Sequence, residues 1–110
     1  MVYVRVKMSV VRNKVKEAWA IYQSKVMAWD KSCVEKVGGK YIGYWYTEYG
    51  DNGEITFLVR YPDLNAREEM AKIFWESGDE KVRQGIEEWL TYVPKANVKV
   101  LKSLPGSPLE

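Results

Sequence analysis

The sequence contains no histidine and a single cysteine, Cys33. The missing imidazole removes Ser-His nucleophilic sets, histidine-bound zinc and histidine-ligated haem together. One cysteine excludes an intrachain disulfide and fits a reducing cytoplasm, where we expect the chain to reside. Cys33 is either a small buried hydrophobe or a nucleophile that has to work without the usual base. No apolar run approaches the roughly 20 residues of a membrane span. The opening MVYVRVKMSV alternates apolar and polar residues, so it does not read as a signal peptide. With 17 basic and 15 acidic residues the formal charge is +2, and no basic stripe of the kind a nucleic-acid binder carries is visible. No metal-ligand cluster, paired carboxylates or glycine-rich phosphate loop stands out. The expectation is therefore no metal, no cofactor and no nucleic acid.

Aromatic residues are plentiful. Five Trp and eight Tyr accompany a hydrophobic content of 46%, which rules against disorder. A chain of 110 residues forms one domain with a real core. We expect that domain over residues 1–103, with 104–110, which hold two prolines and a glycine, as an extended arm.

The stretch Lys40–Tyr61 organises the rest. Asp51-Asn52-Gly53 separates two runs rich in aromatic and β-branched residues, and Asn-Gly supplies the positive φ angles of a tight hairpin turn. Simple alternation places Tyr41, Gly43, Trp45, Thr47 and Tyr49 on one face of the first strand and Ile42, Tyr44, Tyr46 and Glu48 on the other. The second strand alternates Ile55, Phe57, Val59 and Tyr61 with Thr56, Leu58 and Arg60. Both faces carry large apolar groups, whereas a sheet with one wet face is apolar on one side only. The chain's own helices cover one face, and a second copy is the natural cover for the other.

The remaining elements follow from periodicity. Val2–Val11 alternates as an amphipathic strand. From Lys14 to Val34 the spacing becomes helical, with Asn13 as cap and a stripe of Val15, Ala18, Trp19, Tyr22, Val26, Trp29 and Cys33. Gly38-Gly39 ends this helix. After the hairpin, Asn65 with Glu68, and then Ser77 with Glu80, have capping-box spacing and predict two more helices. Pro94 stops the second, and Ala96–Ser103 reads as a last strand. The order β-α-β-β-α-α-β is the ferredoxin-like plan, an α+β fold with a four-stranded antiparallel sheet and its second helix broken in two.

Gly43-Tyr44-Trp45-Tyr46-Thr47-Glu48-Tyr49-Gly50, followed by Tyr61-Pro62-Asp63-Leu64 and Arg67, resembles the NIPSNAP family. Its members show a strand ending G-x-W-x-T-E-x-G, a short turn, a strand ending near a tyrosine, and a helix entered through Asp or Ser and carrying an arginine. Tyr3-Val4-Arg5 and Ser107-Pro108-Leu109 are similar to the ends of such domains. The resemblance implies a dimeric α+β barrel, two ferredoxin-like subunits packed sheet to sheet. It implies little about activity. Animal members are linked with mitochondrial surface signalling and vesicle-related roles, and the wider superfamily includes cofactor-free monooxygenases, haem-degrading enzymes and small isomerases. The absence of histidine speaks against haem chemistry here.

Two functional expectations follow. The first is a homodimeric structural or ligand-binding module holding a small apolar molecule. The alternative is a cofactor-independent monooxygenase or isomerase acting on a small aromatic or polyketide-like molecule. For catalysis the candidates are Glu48 and Arg60. Glu48 is either a general acid or base among aromatics or a solvent-facing, salt-bridged carboxylate. Arg60 either pairs with Glu48, within or between subunits, or clamps a ligand carboxylate. Trp19, Tyr22, Trp45, Phe74 and Trp89 are read as core or as the lining of a pocket between sheet and helices, with Arg67 beside it.

Overall fold

A computed structural model of the chain describes residues 1–47 and 53–108. It contains β1 (Val2–Ser9), α1 (Val15–Ile21), a π-helical turn (Tyr22–Val26), α2 (Met27–Lys36), β2 (Lys40–Tyr46), β3 (Glu54–Tyr61), α3 (Leu64–Glu76), α4 (Glu80–Leu90) and β4 (Lys95–Leu101). The strands form one antiparallel sheet in the order β2-β3-β1-β4. This is the α+β, ferredoxin-like arrangement expected from the element order.

The helices lie on one face. Val2, Val4 and Met8 of β1 and Ile55, Phe57, Val59 and Tyr61 of β3 are buried beneath them. Cross-strand partners point the same way, so Val98 and Val100, opposite Val6 and Val4, are also on the helix side. They remain 45% and 46% exposed, because the helices stop short of this edge strand. The opposite, outer face carries Tyr3, Arg5, Lys7, Thr56, Leu58, Arg60, Lys99 and Leu101.

A β-bulge between Tyr41 and Gly43 breaks the simple alternation expected of β2. Two residues there oppose one on β3, which shifts the facing of everything that follows. Tyr41, opposite Val59, and Tyr44, opposite Phe57, thus both face the helices. Gly43 and Trp45, opposite Leu58 and Thr56, face outward, and the Trp45 ring folds over Gly43. The turn residues Asp51 and Asn52 lie outside the described residues. On either side of them Thr47 N–H donates to the Glu54 carbonyl at 3.0 Å.

Three of the expected caps are corrected. Asn13 does not cap α1. It takes φ 61°, a left-handed turn conformation that asparagine tolerates, and the cap position falls to Lys14 without a side-chain bond. Asp63, rather than Asn65, caps α3 by accepting from Ala66 N–H at 2.8 Å. Asp79, rather than Ser77, caps α4 by accepting from Val82 N–H at 2.8 Å. At α3 and α4 a carboxylate lies three residues before the amide it caps and outcompetes the neutral side chain nearby.

Gly38-Gly39 ends the second helical segment as expected, with Gly38 at φ 80° and Gly39 N–H donating to the Val34 carbonyl. Gly39 is also a point of close approach. A Cβ there would stand 2.9 Å from Val34 Cγ1 and 3.0 Å from the Arg60 carbonyl oxygen. Gly39→Ala is expected to cost about 2 kcal/mol by overpacking. A lowered denaturation midpoint with an unchanged far-ultraviolet dichroism spectrum is the checking measurement.

Candidate functional site: a buried carboxyl between two tyrosines

The long helix predicted over 14–34 is interrupted, and the interruption builds the site. Ala18, Tyr22, Val26, Asp30 and Val34 all face the sheet, each four residues after the last. On a regular α-helix a four-residue step drifts by about 40°, so such a series would wind off the buried face. The wider π-turn at Tyr22–Val26 takes up that drift. Asp30 thereby enters the core in place of Trp29. The indole is displaced to the flank, where its Nε1–H donates to the Phe74 carbonyl at 3.2 Å.

Asp30 is 8% exposed and is the one buried charged side chain among the described residues. Tyr22 Oη donates to its Oδ2 at 2.5 Å, and Tyr41 Oη donates to the same oxygen. Burial pushes the Asp30 carboxyl above the usual carboxylate range, and the two phenol bonds pull in the opposite direction without cancelling it. Burial, reinforced by the nearby carboxylate, drives both phenols far upward. The three groups therefore hold their protons more tightly than in water. A carboxyl shifted in this direction is better suited to keeping or passing a proton than an exposed one.

An aromatic shell encloses this cluster. Trp19 stacks on Tyr22 at 5.2 Å, Tyr41 stacks on Tyr44 at 5.0 Å, and Phe57 meets Tyr44 edge-on at 4.9 Å. Trp89 closes over Tyr22 at 5.2 Å. Among the described residues the hydroxyl of Tyr44 and the indole N–H of Trp89 are buried without a hydrogen-bond partner. Burial pushes the Tyr44 phenol up to about 12. Trp19 and Tyr44 also face a cleft of about 420 Å³, completed by Val15, Lys16, Trp45, Tyr46 and Ile55. The aromatic floor of the cleft is thus continuous with the shell around Asp30.

The structure gathers some of the expected site residues and separates others. Trp19, Tyr22 and Trp89 come together around Phe57. Phase-shifted by the bulge, Trp45 reaches the cleft from the outward face. Phe74 lies in the same buried core and meets Trp75 edge-on, whereas Arg67 pairs with Glu68 at 3.7 Å. Arg60 is on the outer face opposite Lys40 and Tyr3, without an acidic partner among the described residues. Glu48 lies outside the described residues. Cys33 is fully buried, and burial raises its thiol pKa. Among the described residues no group of three or more His, Cys, Asp or Glu could hold a metal ion. Sequence reasoning missed Asp30 and Tyr41. The available signal was a carboxylate four residues after Val26 and three before Cys33, on an otherwise apolar stripe.

The NIPSNAP family model matches residues 9–108. A NIPSNAP family protein of unknown function from Agrobacterium tumefaciens is similar in fold, with a TM-score of 0.87 at 18% identity over 100% of this chain and 94% of that one. An uncharacterised NIPSNAP domain protein from Burkholderia xenovorans superposes with a TM-score of 0.80 at 17% identity, covering 98% and 99%. An antibiotic biosynthesis monooxygenase shares the fold more distantly, with a TM-score of 0.60 at 13% identity over 96% and 100%. Among curated proteins none matches. With the family model spanning nearly its whole length and the fold of these relatives, the chain belongs to the NIPSNAP family.

Proposed function

We propose that the protein is a homodimeric binding module that holds a small, flat, largely apolar molecule against Trp19 and Tyr44. The cleft of about 420 Å³ walled by these rings carries the reading. Its size and aromatic lining suit a small planar ligand, and the Tyr44 hydroxyl beneath it, without a hydrogen-bond partner among the described residues, favours one with a polar edge. The homodimer is supported by apolar groups left on the uncovered face and tail. Trp45, Leu101 and Leu104 are exposed, and Leu58 lies among them. No helix among the described residues is long and apolar enough to cross a membrane. The buried free thiol of Cys33 fits a cytoplasmic setting.

Titration of wild-type protein with small planar aromatic compounds should quench tryptophan fluorescence saturably. Trp19→Ala should weaken that binding about tenfold, the value of one lost stacking contact. Equal binding by wild type and variant would remove the cleft from consideration. In sedimentation the wild type should run as a dimer at micromolar concentration. A monomer there would defeat the assembly reading.

A second reading is favoured by Asp30. A buried carboxyl shared by two phenols could serve as the general acid or base of a cofactor-independent oxygenase or isomerase acting on the same class of molecule. In that case Asp30→Asn would abolish turnover while leaving affinity intact.

A further inference from the structure

We propose that the outer face of the sheet is an oxyanion site formed between two copies. Arg5 and Arg60 hold the phosphate or carboxylate group of a small molecule whose binding is coupled to dimerisation. The proposal rests on the homodimer reading given above.

Strand register concentrates positive charge on this face. Lys40 stands opposite Arg60, and Arg5 stands opposite Lys99. Lys7 and Lys95 point the same way, next to Asn97 and Ser9. Among the described residues Glu54 is the one carboxylate on the face, and Lys7 already engages it at 3.5 Å. The whole chain carries a formal charge of only +2, so this is local accumulation rather than general basicity. Like charges placed directly across strands oppose folding. A face that keeps two such pairs is set up for an anion that the chain does not itself supply.

Arg5 gives the feature a location. Among the described residues its buried Nε has no hydrogen-bond partner, and neither Arg5 nor Arg60 has an acidic one. A guanidinium fork is matched in shape to a phosphate or carboxylate. Leu58, the cross-strand partner of Arg5, lines a cleft of about 360 Å³ with Tyr3, Leu101 and Leu104. An anion with a short apolar body fits that combination.

Symmetry supplies the coupling. Two-fold packing brings a patch onto its own copy. A positive patch meeting itself repels unless a third, negative component enters. An oxyanion between the sheets would neutralise both sets of arginines and would bind the dimer better than the monomer.

Sedimentation at fixed ionic strength, with chloride exchanged for inorganic phosphate or for hexanoate, tests this. One of the two anions should tighten the dimer about tenfold at millimolar concentration. A response to phosphate alone identifies a free phosphate group, and a response to hexanoate alone identifies a carboxylate with an apolar tail. The Arg5→Gln/Arg60→Gln double variant should lose the anion dependence and dimerise as well or better without any anion. A purely structural role for the arginines would not produce that result. Arg60→Gln alone, at a half-buried strand position, should halve the dependence on a logarithmic scale and serves if the double variant folds poorly. A dimer indifferent to both anions overturns the inference and leaves the homodimer standing. A monomer in every buffer overturns both. Tight binding of a single-stranded oligonucleotide to a monomer overturns it in favour of a nucleic-acid surface.

Discussion

Asp30→Ala should lose about 3 kcal/mol of stability, because two buried phenols are left with no acceptor and each unsatisfied group costs roughly 1–3 kcal/mol. Asp30→Asn should behave differently. Its amide oxygen can still accept from Tyr22 and Tyr41, and no charge has to be desolvated. At pH 8 we expect Asp30→Asn to be at least as stable as wild type. The pH dependence follows from the direction of the shift. The folded-state pKa of Asp30 is raised above its ordinary value of 3.8, so the folded state binds this proton more tightly than the unfolded state. The associated stabilisation is fully present below that ordinary value and is lost as pH rises through the raised pKa. Wild-type stability should therefore decline over that interval, and the Asn variant should lack this component. Denaturant melts of the three proteins between pH 4 and 8 would check it. An identical slope for wild type and Asp30→Asn would mean that Asp30 is not held in the way its two hydrogen bonds indicate.

Phe57→Ala should have the largest effect of any single truncation, about 4 kcal/mol. Phe57 is 4% exposed and touches the rings of Trp19, Tyr22, Tyr41, Tyr44 and Trp89. Removing it opens a cavity under all five, and their mutual stacking prevents easy collapse. Domains of this size are stable by only about 5–15 kcal/mol, so the variant is expected to be marginal. Phe57→Leu, which keeps most of the volume, should cost roughly 1 kcal/mol. The comparison separates cavity formation from loss of aromatic contacts. If the leucine variant is as damaged as the alanine variant, edge-to-face geometry rather than volume holds the cluster together. In either variant the Tyr44 ring loses its edge-on support, so binding in the cleft should weaken along with stability.

The site was less legible than the fold, and for identifiable reasons. Trp19, Tyr22 and Trp89 could be found because large apolar side chains recurring at helical spacing announce a buried face. Asp30 could not, because a carboxylate inside a charged helix reads as solvated by default, and its burial depends on the π-turn that precedes it. Trp45 was drawn into the same face as Tyr41 because alternation carries no sign of a bulge. Phe74 and Arg67 were placed beside the pocket by their position on a helix. Phe74 does join the core that holds Tyr22, Phe57 and Trp89, whereas Arg67 turns to Glu68.

The sequence by itself determined which segments are helix and which are strand, that the sheet is antiparallel with helices on one face, and that aromatic side chains fill the core. Those properties follow from periodicity, glycine and proline positions, and composition, all of which are local. Only the tertiary structure decided that a carboxyl is buried between Tyr22 and Tyr41, that Trp45 faces away from it, and that cations line up across the outer face. Each of these depends on one extra residue in a helical turn or a strand, or on the register of strands far apart in the chain. Such offsets are set by packing, which no short stretch of residues encodes alone.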